Sequence, residues 1–357
     1  MPALSYERYG LTGNPFRDLI SENLEDVEAF HVNLEVDRTL QIIKEEVLAK
    51  ENRATVALVG AIGAGKTERL RVAAAEGKRE GALTVFVDVS PQPGPTWKDI
   101  GGEIEKTAVV GGFARLFSAP PWYRALAALK TGDKKAPDPR KAAKIVADAL
   151  NGRAPSFLLL NDLHNLSQPN DLDVFATFLQ ELTDQTKPGV LVMFGSYAAF
   201  YLGMSKSHPA LASRISRTFT LPTLSDDEAA LMIAKKLLAK RLVENLDPLF
   251  PFDNEAIQVL NKAAFGNPRR LLELSDTAIE HGVATRSYRI DIEIAQAALD
   301  ARHRAEAAPA PSSPPPSAVP GPKKPSATSA VSPTTVPVRA PPGGPTASPA
   351  RPSYLED

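Results

Sequence analysis

The octapeptide from Gly60 to Thr67, Gly-Ala-Ile-Gly-Ala-Gly-Lys-Thr, constrains this sequence more than any other stretch. It fits the pattern G-x-x-x-x-G-K-[ST], whose glycines let successive backbone N–H groups turn toward a phosphate chain. The apolar run at residues 55–59 predicts a buried strand before it. Residues 68–75 predict a helix behind it, whose N-terminus adds a positive dipole end. This order of strand, loop and helix predicts a nucleoside triphosphate site.

Two side chains at the end of the octapeptide have specific expected roles. We expect Lys66 to reach the β- and γ-phosphates and the Thr67 hydroxyl to bind Mg²⁺. The predicted cofactors are therefore ATP and Mg²⁺. The predicted cofactor contacts in the loop are Gly60, Ala61, Ile62, Gly63, Ala64, Gly65, Lys66 and Thr67.

Composition limits the function classes. A chain of 357 residues allows about two domains. It has no cysteine, which excludes disulfides, zinc–thiolate sites and a catalytic thiol. The formal net charge of −1 gives no argument from bulk basicity for nucleic-acid binding. The first residues lack the features of a signal peptide and no apolar run is long enough to span a membrane, so we expect a cytoplasmic protein.

Apolar runs and helical periodicities alternate through the first two thirds of the chain. Further strands are predicted at residues 82–89, 157–160, 190–194 and 217–221, and helices at 36–48, 141–150 and 171–182. Between residues 91 and 138 only short helical patches are predicted, interrupted by proline, glycine and two tryptophans. The alternation predicts an α/β fold, with a parallel five-stranded sheet flanked by helices on both faces.

The pattern changes after residue 224. Ser225-Asp226-Asp227-Glu228 forms a capping box that opens a predicted helix, and helical periodicity without a strand pattern continues to about residue 305. From residue 307 on, 15 of the chain's 32 prolines occur among Ala, Ser, Thr and Gly, which predicts a disordered tail. The predicted organisation is a lead segment (1–35), a nucleotide-binding core (36–223), an all-α lid (224–305) and the tail (306–357).

The third predicted strand ends in Asn161 and Asp162. In hydrolysing P-loop enzymes one acid at such a strand end helps to hold Mg²⁺ and the next polarises the attacking water. Asn161 offers a carbonyl oxygen without charge. Two interpretations stay open: Asp162 is the base of a slow hydrolase, or Asp162 serves Mg²⁺ and hydrolysis is very weak. The predicted metal ligands are Thr67, Asn161 and Asp162.

Four further side chains are candidates around this site. Ser196, after the fourth strand, could contact the γ-phosphate or simply form a turn. Arg214 and Arg217 precede or open the fifth strand, where they could reach a neighbouring subunit's γ-phosphate or be surface charges. Pro268 suits the first turn of a helix, which would either point Arg269 toward the triphosphate or be a solvated helix start. The predicted catalytic residues are Asp162, Ser196, Arg214 and Arg217, with Arg269 as a further cofactor contact.

Together these motifs resemble those of the AAA+ ATPases over about residues 5–300. Residues 60–67 look like Walker A and 157–162 like Walker B, with Ser196 at the sensor 1 position. Arg214 or Arg217 falls in the arginine-finger region, and residues 266–269 fall at sensor 2. The resemblance implies an ATPase with ATP and Mg²⁺ between core and lid, which assembles with copies of itself.

Two branches of that superfamily look closest. The ExeA-type secretion ATPases and their transposition-helper relatives share the opening at residues 9–16, the run Leu-Asn-Asp-Leu-His-Asn-Leu at 160–166 and the lid motif at 266–270. The origin-recognition and replication-initiator ATPases share the order of core and lid. Both imply DNA-associated work as an initiator, loader or transposition helper.

Direct sequence support for DNA is limited to scattered basic residues: Arg115, Arg124, Lys130, Lys134, Lys135 and Arg140. The alternative function is a nucleotide-dependent switch or scaffold that hydrolyses ATP poorly and recruits a protein partner through its tail. Asn161 is the residue that favours this alternative.

Overall fold

A computed structural model describes residues 6–17, 27, 31–89, 100, 102–104, 106, 138–166, 169–242 and 247–307 of the chain. The predictions for residues 107–137, with all the basic residues named above except Arg140, lie outside these ranges. So does the predicted tail.

A five-stranded parallel sheet forms the centre of the core, with the strand order β2-β3-β4-β1-β5. Strands β1, β3 and β4 are buried along their whole length, because helices cover both faces. All five predicted strands are confirmed. The strands are β1 (Ala54–Val59), β2 (Leu83–Asp88), β3 (Ser156–Asn161), β4 (Val190–Ser196) and β5 (Arg217–Thr220).

Helices pack on both faces of this sheet. One apolar cluster joins the sheet to α3 and α4, and a second joins its other face to α1 and α2. The helices predicted around the loop and along the core are confirmed. The core helices are α1 (Glu35–Leu48), α2 (Lys66–Arg79), α3 (Pro139–Gly152), α4 (Pro169–Gln185), α5 (Ala198–Ser207) and α6 (Pro209–Ala212).

The lid is a separate helical layer with its own apolar cluster. Its helices are α7 (Asp226–Leu238), α8 (Asn254–Ala263), α9 (Pro268–Thr285) and α10 (Ile292–Ala307). The predicted capping box is present: the Glu228 amide donates to Ser225 Oγ at 3.3 Å, and the Ser225 amide donates to Glu228 Oε2 at 2.8 Å. In the described part of the chain after Ser225 the structure contains isolated bridges but no strand.

The N-terminal lead packs into the lid cluster. Tyr9, Leu11 and Phe16 are fully buried there. The Tyr9 hydroxyl donates to the Ser287 carbonyl at 2.7 Å, and the Thr12 amide donates to the Lys240 carbonyl at 2.8 Å. The lid is therefore built from both early and late parts of the sequence.

Within the described ranges, the helices are all too short or too polar to serve as a membrane span.

Candidate nucleotide-binding site

The loop of residues 60–67 connects β1 to α2, as predicted. Gly63 and Gly65 have φ angles of 78° and 87°, a backbone conformation that residues with a side chain rarely adopt. Lys66 begins α2, and its ammonium group donates to the carbonyls of Gly60 at 3.0 Å and Ala61 at 2.7 Å. Burial lowers the pKa of Lys66, and the charge of Asp162 opposes that shift. The loop thus curls around one buried cation.

A chain of hydrogen bonds links Thr67 to the ends of β2 and β3. The Thr67 hydroxyl donates to Asn161 Oδ1 at 2.8 Å. Asn161 Nδ2 donates in turn to Asp88 Oδ1 at 2.8 Å and to Asp162 Oδ2 at 3.1 Å. The predicted metal ligands are therefore neighbours, and the structure adds Asp88 to them.

This group of side chains fits a hydrated Mg²⁺ ion. Mg²⁺ prefers oxygen ligands and commonly keeps several of its waters. Thr67 and Asn161 offer a hydroxyl and an amide oxygen beside each other, and the carboxylates of Asp88 and Asp162 lie next to the amide. No cluster of three or more His, Cys, Asp or Glu side chains in the described ranges could hold a metal. A cation here would also need phosphate oxygens.

The lid rests directly on the loop. Asn267 Nδ2 donates to the Ile62 carbonyl at 2.7 Å, and the Arg269 amide donates to the Gly63 carbonyl at 3.3 Å. Pro268 occupies the first turn of α9, as predicted, and Asn267 caps that helix through the Arg270 amide at 3.1 Å. The same cap therefore starts α9 and brings Arg269 to the loop.

A cleft of about 430 Å³ lies between the loop and the lid. Its lining includes the hydroxyl, amide and carboxylate groups described above together with Arg269. It also includes three apolar side chains, those of Val27, Met232 and Leu272, all largely buried. Further charged residues line it, including Glu68, Arg71 and Lys236. The cleft can therefore take a ligand that carries both anionic and apolar groups.

Ser196 ends β4 beside the loop and is fully buried. Its carbonyl accepts from the Gly60 amide at 3.2 Å, so it fixes the start of the loop. His164 stacks on Tyr197 with ring centroids 3.5 Å apart, and the Lys66 ammonium lies 5.0 Å from the same ring. Burial lowers the pKa of His164, and its Nδ1 atom has no hydrogen-bond partner among the described residues.

Arg214 and Arg217 lie at the opposite edge of the sheet. Arg214 Nε binds Asp184 Oδ1 at 2.7 Å near the end of α4, and Arg217 pairs with Val56 in the register of β5 with β1. The loop follows the end of β1 at Val59. Val56 lies three residues before that end, about 10 Å at roughly 3.3 Å per residue. The structure therefore does not bring these arginines to the loop of their own chain.

Asp88 is the residue of this site that the sequence analysis missed. It closes β2 and is the register partner of Asn161 in β3. The sequence did contain a signal for it, an acid at the end of a predicted apolar strand. Because the carboxyl ends of parallel strands meet at one edge of a sheet, such an acid is expected near the other strand ends.

No protein-family model matches the chain, and no curated protein sequence matches it. Among solved structures, it is similar to the Aeropyrum pernix ORC1 protein in complex with DNA, with a TM-score of 0.50, 15% identity and coverage of 83% of this chain and 69% of that chain. It is also similar to the Aeropyrum pernix ORC2 protein in ADPNP–ADP complexes, with a TM-score of 0.50, 16% identity and coverage of 79% and 74%. Identities this low establish the fold alone, and the chain shares the fold of these two proteins.

Proposed function

We propose that this protein binds ATP with Mg²⁺ in the cleft between the sheet domain and the lid. The observation that carries the proposal is the glycine-turned loop, with Lys66 and Thr67 at the start of α2, lying directly against Arg269 of the lid. The ORC2 structure of the same fold contains ADPNP and ADP, which supports this choice of ligand.

The polar and the apolar residues that line the cleft have different roles in this proposal. The backbone N–H groups of the loop and the Lys66 ammonium would hold the β- and γ-phosphates, and Arg269 would approach the γ-phosphate from the lid. The adenine would lie against Val27, Met232 and Leu272. Thr67 and Asn161 Oδ1 would hold the cation, which when bound would neutralise phosphate charge.

Hydrolysis is assigned to Asp162, which follows β3 directly with a φ of 56° and lines the cleft. Its carboxylate would accept a proton from the attacking water, while Ser196 supports the start of the loop. We infer slow turnover, because the side chain that accepts a hydrogen bond from Thr67 is the neutral Asn161. Hydrolysing P-loop enzymes commonly place a negatively charged metal-binding acid at this position. That same observation favours a second candidate, a switch that binds ATP and barely hydrolyses it, with a partner recruited through the tail. In this switch Asp162 would serve the cation together with Thr67 and Asn161.

Arg214 and Arg217 would act only between subunits. We therefore propose that the chain assembles with copies of itself, so that these arginines approach a neighbour's γ-phosphate. Light scattering in the apo, ADP and ATP-analogue states tests this, and the mass of a single chain in all three states would contradict it. DNA-associated work is supported by the ORC1 relative in complex with DNA, and salt-sensitive duplex affinity would be its measurable sign.

Binding of a fluorescent, non-hydrolysable ATP analogue tests the proposed site. We expect Lys66→Ala to weaken the affinity at least about tenfold, equivalent to about 1.4 kcal/mol, because a buried cation beside the phosphates is removed. The matched control is Lys78→Ala, an exposed lysine of the same helix, which should bind as the wild type does. Equal affinities in all three proteins would contradict the proposal.

Turnover measured with and without duplex DNA separates the two candidates. In the hydrolase, Asp162→Asn lowers kcat by roughly 10²- to 10⁴-fold while analogue binding persists. Tight binding with negligible wild-type turnover, unchanged by DNA, would leave the switch as the function.

A further inference from the structure

The strand position that commonly supplies a metal-binding acid holds a neutral residue here, yet the same edge of the sheet still carries a carboxylate one strand away. Asp88 of β2 is the direct register partner of Asn161 of β3. Neighbouring strands lie about 4.8 Å apart. Both residues line the cleft together with Thr67 and Asp162.

Hydrogen bonding determines how the Asn161 amide is oriented. Its Nδ2 group donates to Asp88 at 2.8 Å and to Asp162 at 3.1 Å, and its Oδ1 atom accepts from Thr67 at 2.8 Å. Ionised carboxylates only accept, so a flipped amide would place its oxygen against two acceptor groups. Since Asn161 is 4% exposed, water could not relieve that repulsion. The carboxylates therefore keep the amide oxygen directed at Thr67.

The backbone holds Asp88 in place for this contact. The amide of Val89, the next residue, donates to the Asn161 carbonyl at 3.0 Å. Asn165 Nδ2 donates to the Val89 carbonyl at 2.6 Å. The residue that follows Asp88 is thus held both by the last residue of β3 and by the turn after that strand.

We propose that Asp88 is a positioning residue of the cation site, which orients the Asn161 amide oxygen toward the metal and supplies the negative charge that Asn161 lacks. This inference rests on the proposed function. In a commoner arrangement one acid does both tasks from the end of a single strand. Here the tasks are divided across a pair of neighbouring strands, with the charge on β2 and the ligand oxygen on β3.

The test is the Mg²⁺ dependence of nucleotide binding rather than turnover. Affinity for the non-hydrolysable ATP analogue is measured with EDTA and with Mg²⁺, and the ratio of the two dissociation constants is the Mg²⁺ coupling. We expect Asp88→Asn and Asp88→Ala to lower this coupling roughly 10- to 100-fold, the usual effect of removing a group that supports a metal ligand. Affinity in EDTA should change less than about threefold, because the loop and Lys66 are untouched.

A charge exchange makes the test specific. Asn161→Asp alone should destabilise the fold, since it sets three carboxylates beside one another. The double variant Asp88→Asn with Asn161→Asp moves the carboxylate to β3 and the amide to β2. We expect it to regain Mg²⁺ coupling to within about fivefold of the wild type, since positions 88 and 161 again hold one carboxylate and one amide between them. Asp148→Asn, an exposed acid on α3, is the control and should leave the coupling unchanged.

The outcomes separate this inference from the proposed function. Wild-type coupling in Asp88→Asn or in Asp88→Ala overturns the inference and leaves the nucleotide site intact. Equal losses of affinity in EDTA and in Mg²⁺ also overturn it, because they indicate a structural role alone. If one variant fails to fold, as judged by circular dichroism, the other decides. A wild-type protein that binds no analogue at millimolar concentration overturns the proposed function and this inference together.

Discussion

At the scale of single residues, Gly63 combines two requirements. Its φ angle of 78° lies in the left-handed region, and a Cβ atom on it would lie 2.7 Å from both Arg269 Cβ and Asn267 Oδ1. The turn of the loop requires a residue that can adopt a positive φ. The close approach of the lid requires a residue without a Cβ atom. A residue with a side chain at this position would therefore strain the loop and displace the lid from it.

We expect Gly63→Ala to lower the free energy of unfolding by at least roughly 1–2 kcal/mol, the cost of a left-handed residue with a side chain. It should also weaken analogue binding, because the lid moves away from the loop. Urea unfolding and fluorescence titration measure the two effects. Gly10→Ala is the matched control: its φ is 66°, but nothing lies within 4 Å of the added Cβ. Identical analogue affinities in the two variants would contradict the steric argument.

At the scale of elements, a buried ionic cluster joins the segment before α1 to both α1 and α2. His31 Nδ1 lies 2.8 Å from Glu68 Oε1, and His31 Nε2 lies 3.4 Å from Asp37 Oδ1. Asp37 also accepts from the Arg69 guanidinium at 2.8 and 2.9 Å. The His31 carbonyl accepts from Lys235 of the lid. Helix α2, which follows the loop of residues 60–65, is thereby connected to the lid.

This cluster predicts a pH dependence of stability. Burial acts to lower the pKa of His31, but hydrogen bonds with Asp37 and Glu68 outweigh it and raise the pKa above its ordinary value. A raised pKa means that the folded state binds the proton more tightly. The stabilisation is therefore complete below about pH 6.5, the unfolded value, and is lost as the pH rises through the folded pKa. Burial acts to raise the pKa of Asp37, but hydrogen bonding from His31 and the charge of Arg69 outweigh it and lower that pKa. The stability that Asp37 contributes is therefore lost only in stronger acid.

We expect His31→Gln to destabilise the protein more at about pH 5.5 than at about pH 9, because only the protonated imidazole donates to both carboxylates. Urea unfolding at the two pH values measures the difference. His303→Gln, an exposed histidine of α10, should show the same stability difference from the wild type at both values. A His31→Gln effect independent of pH would rule out this reading of the cluster.

The elements themselves were predictable because their signals are local. The loop pattern, the apolar strands and the capping box of Ser225 each occupy a few consecutive residues. Asp88 was missed because its contact with Asn161 spans 73 positions and depends on β2 lying next to β3, which no local pattern states. The placement of Arg214 could have been derived from the sequence. Strand β5 runs parallel to β1, and the loop of residues 60–67 follows the C-terminal end of β1. A residue that precedes β5, such as Arg214, therefore lies toward the N-terminal ends of the strands, away from that loop.

At the scale of the whole molecule, the lead supplies part of the lid's interior. Phe16 is fully buried and packs edge-on against Phe252, with ring centroids 5.8 Å apart and planes at 88°. Asn14 Nδ2 donates to Asp276 Oδ1 of α9 at 2.5 Å. The lead is therefore a structural part of the lid and not a loose extension of the core.

We expect Phe16→Ala to reduce the stability of the lid by roughly 3–5 kcal/mol, the usual cost of removing a buried phenyl ring. Hydrogen exchange followed by mass spectrometry should show lost protection in helices α7–α10, with protection of strands β1, β3 and β4 retained. The control is Leu238→Ala on α7, whose side chain is 69% exposed and should matter little. Uniform loss of protection across sheet and lid would contradict this division.

The Tyr9–Ser287 hydrogen bond, which links residues 278 positions apart, has a consequence for biosynthesis. During synthesis the aromatic residues of the lead leave the ribosome long before the helices that cover them are made. Domains generally fold as units while the chain emerges. The sheet domain can therefore assemble first, while completion of the lid waits for Ser287, just after α9. A gene fragment beginning after Phe16, or one ending before Ser287, would leave apolar faces of these helices in water.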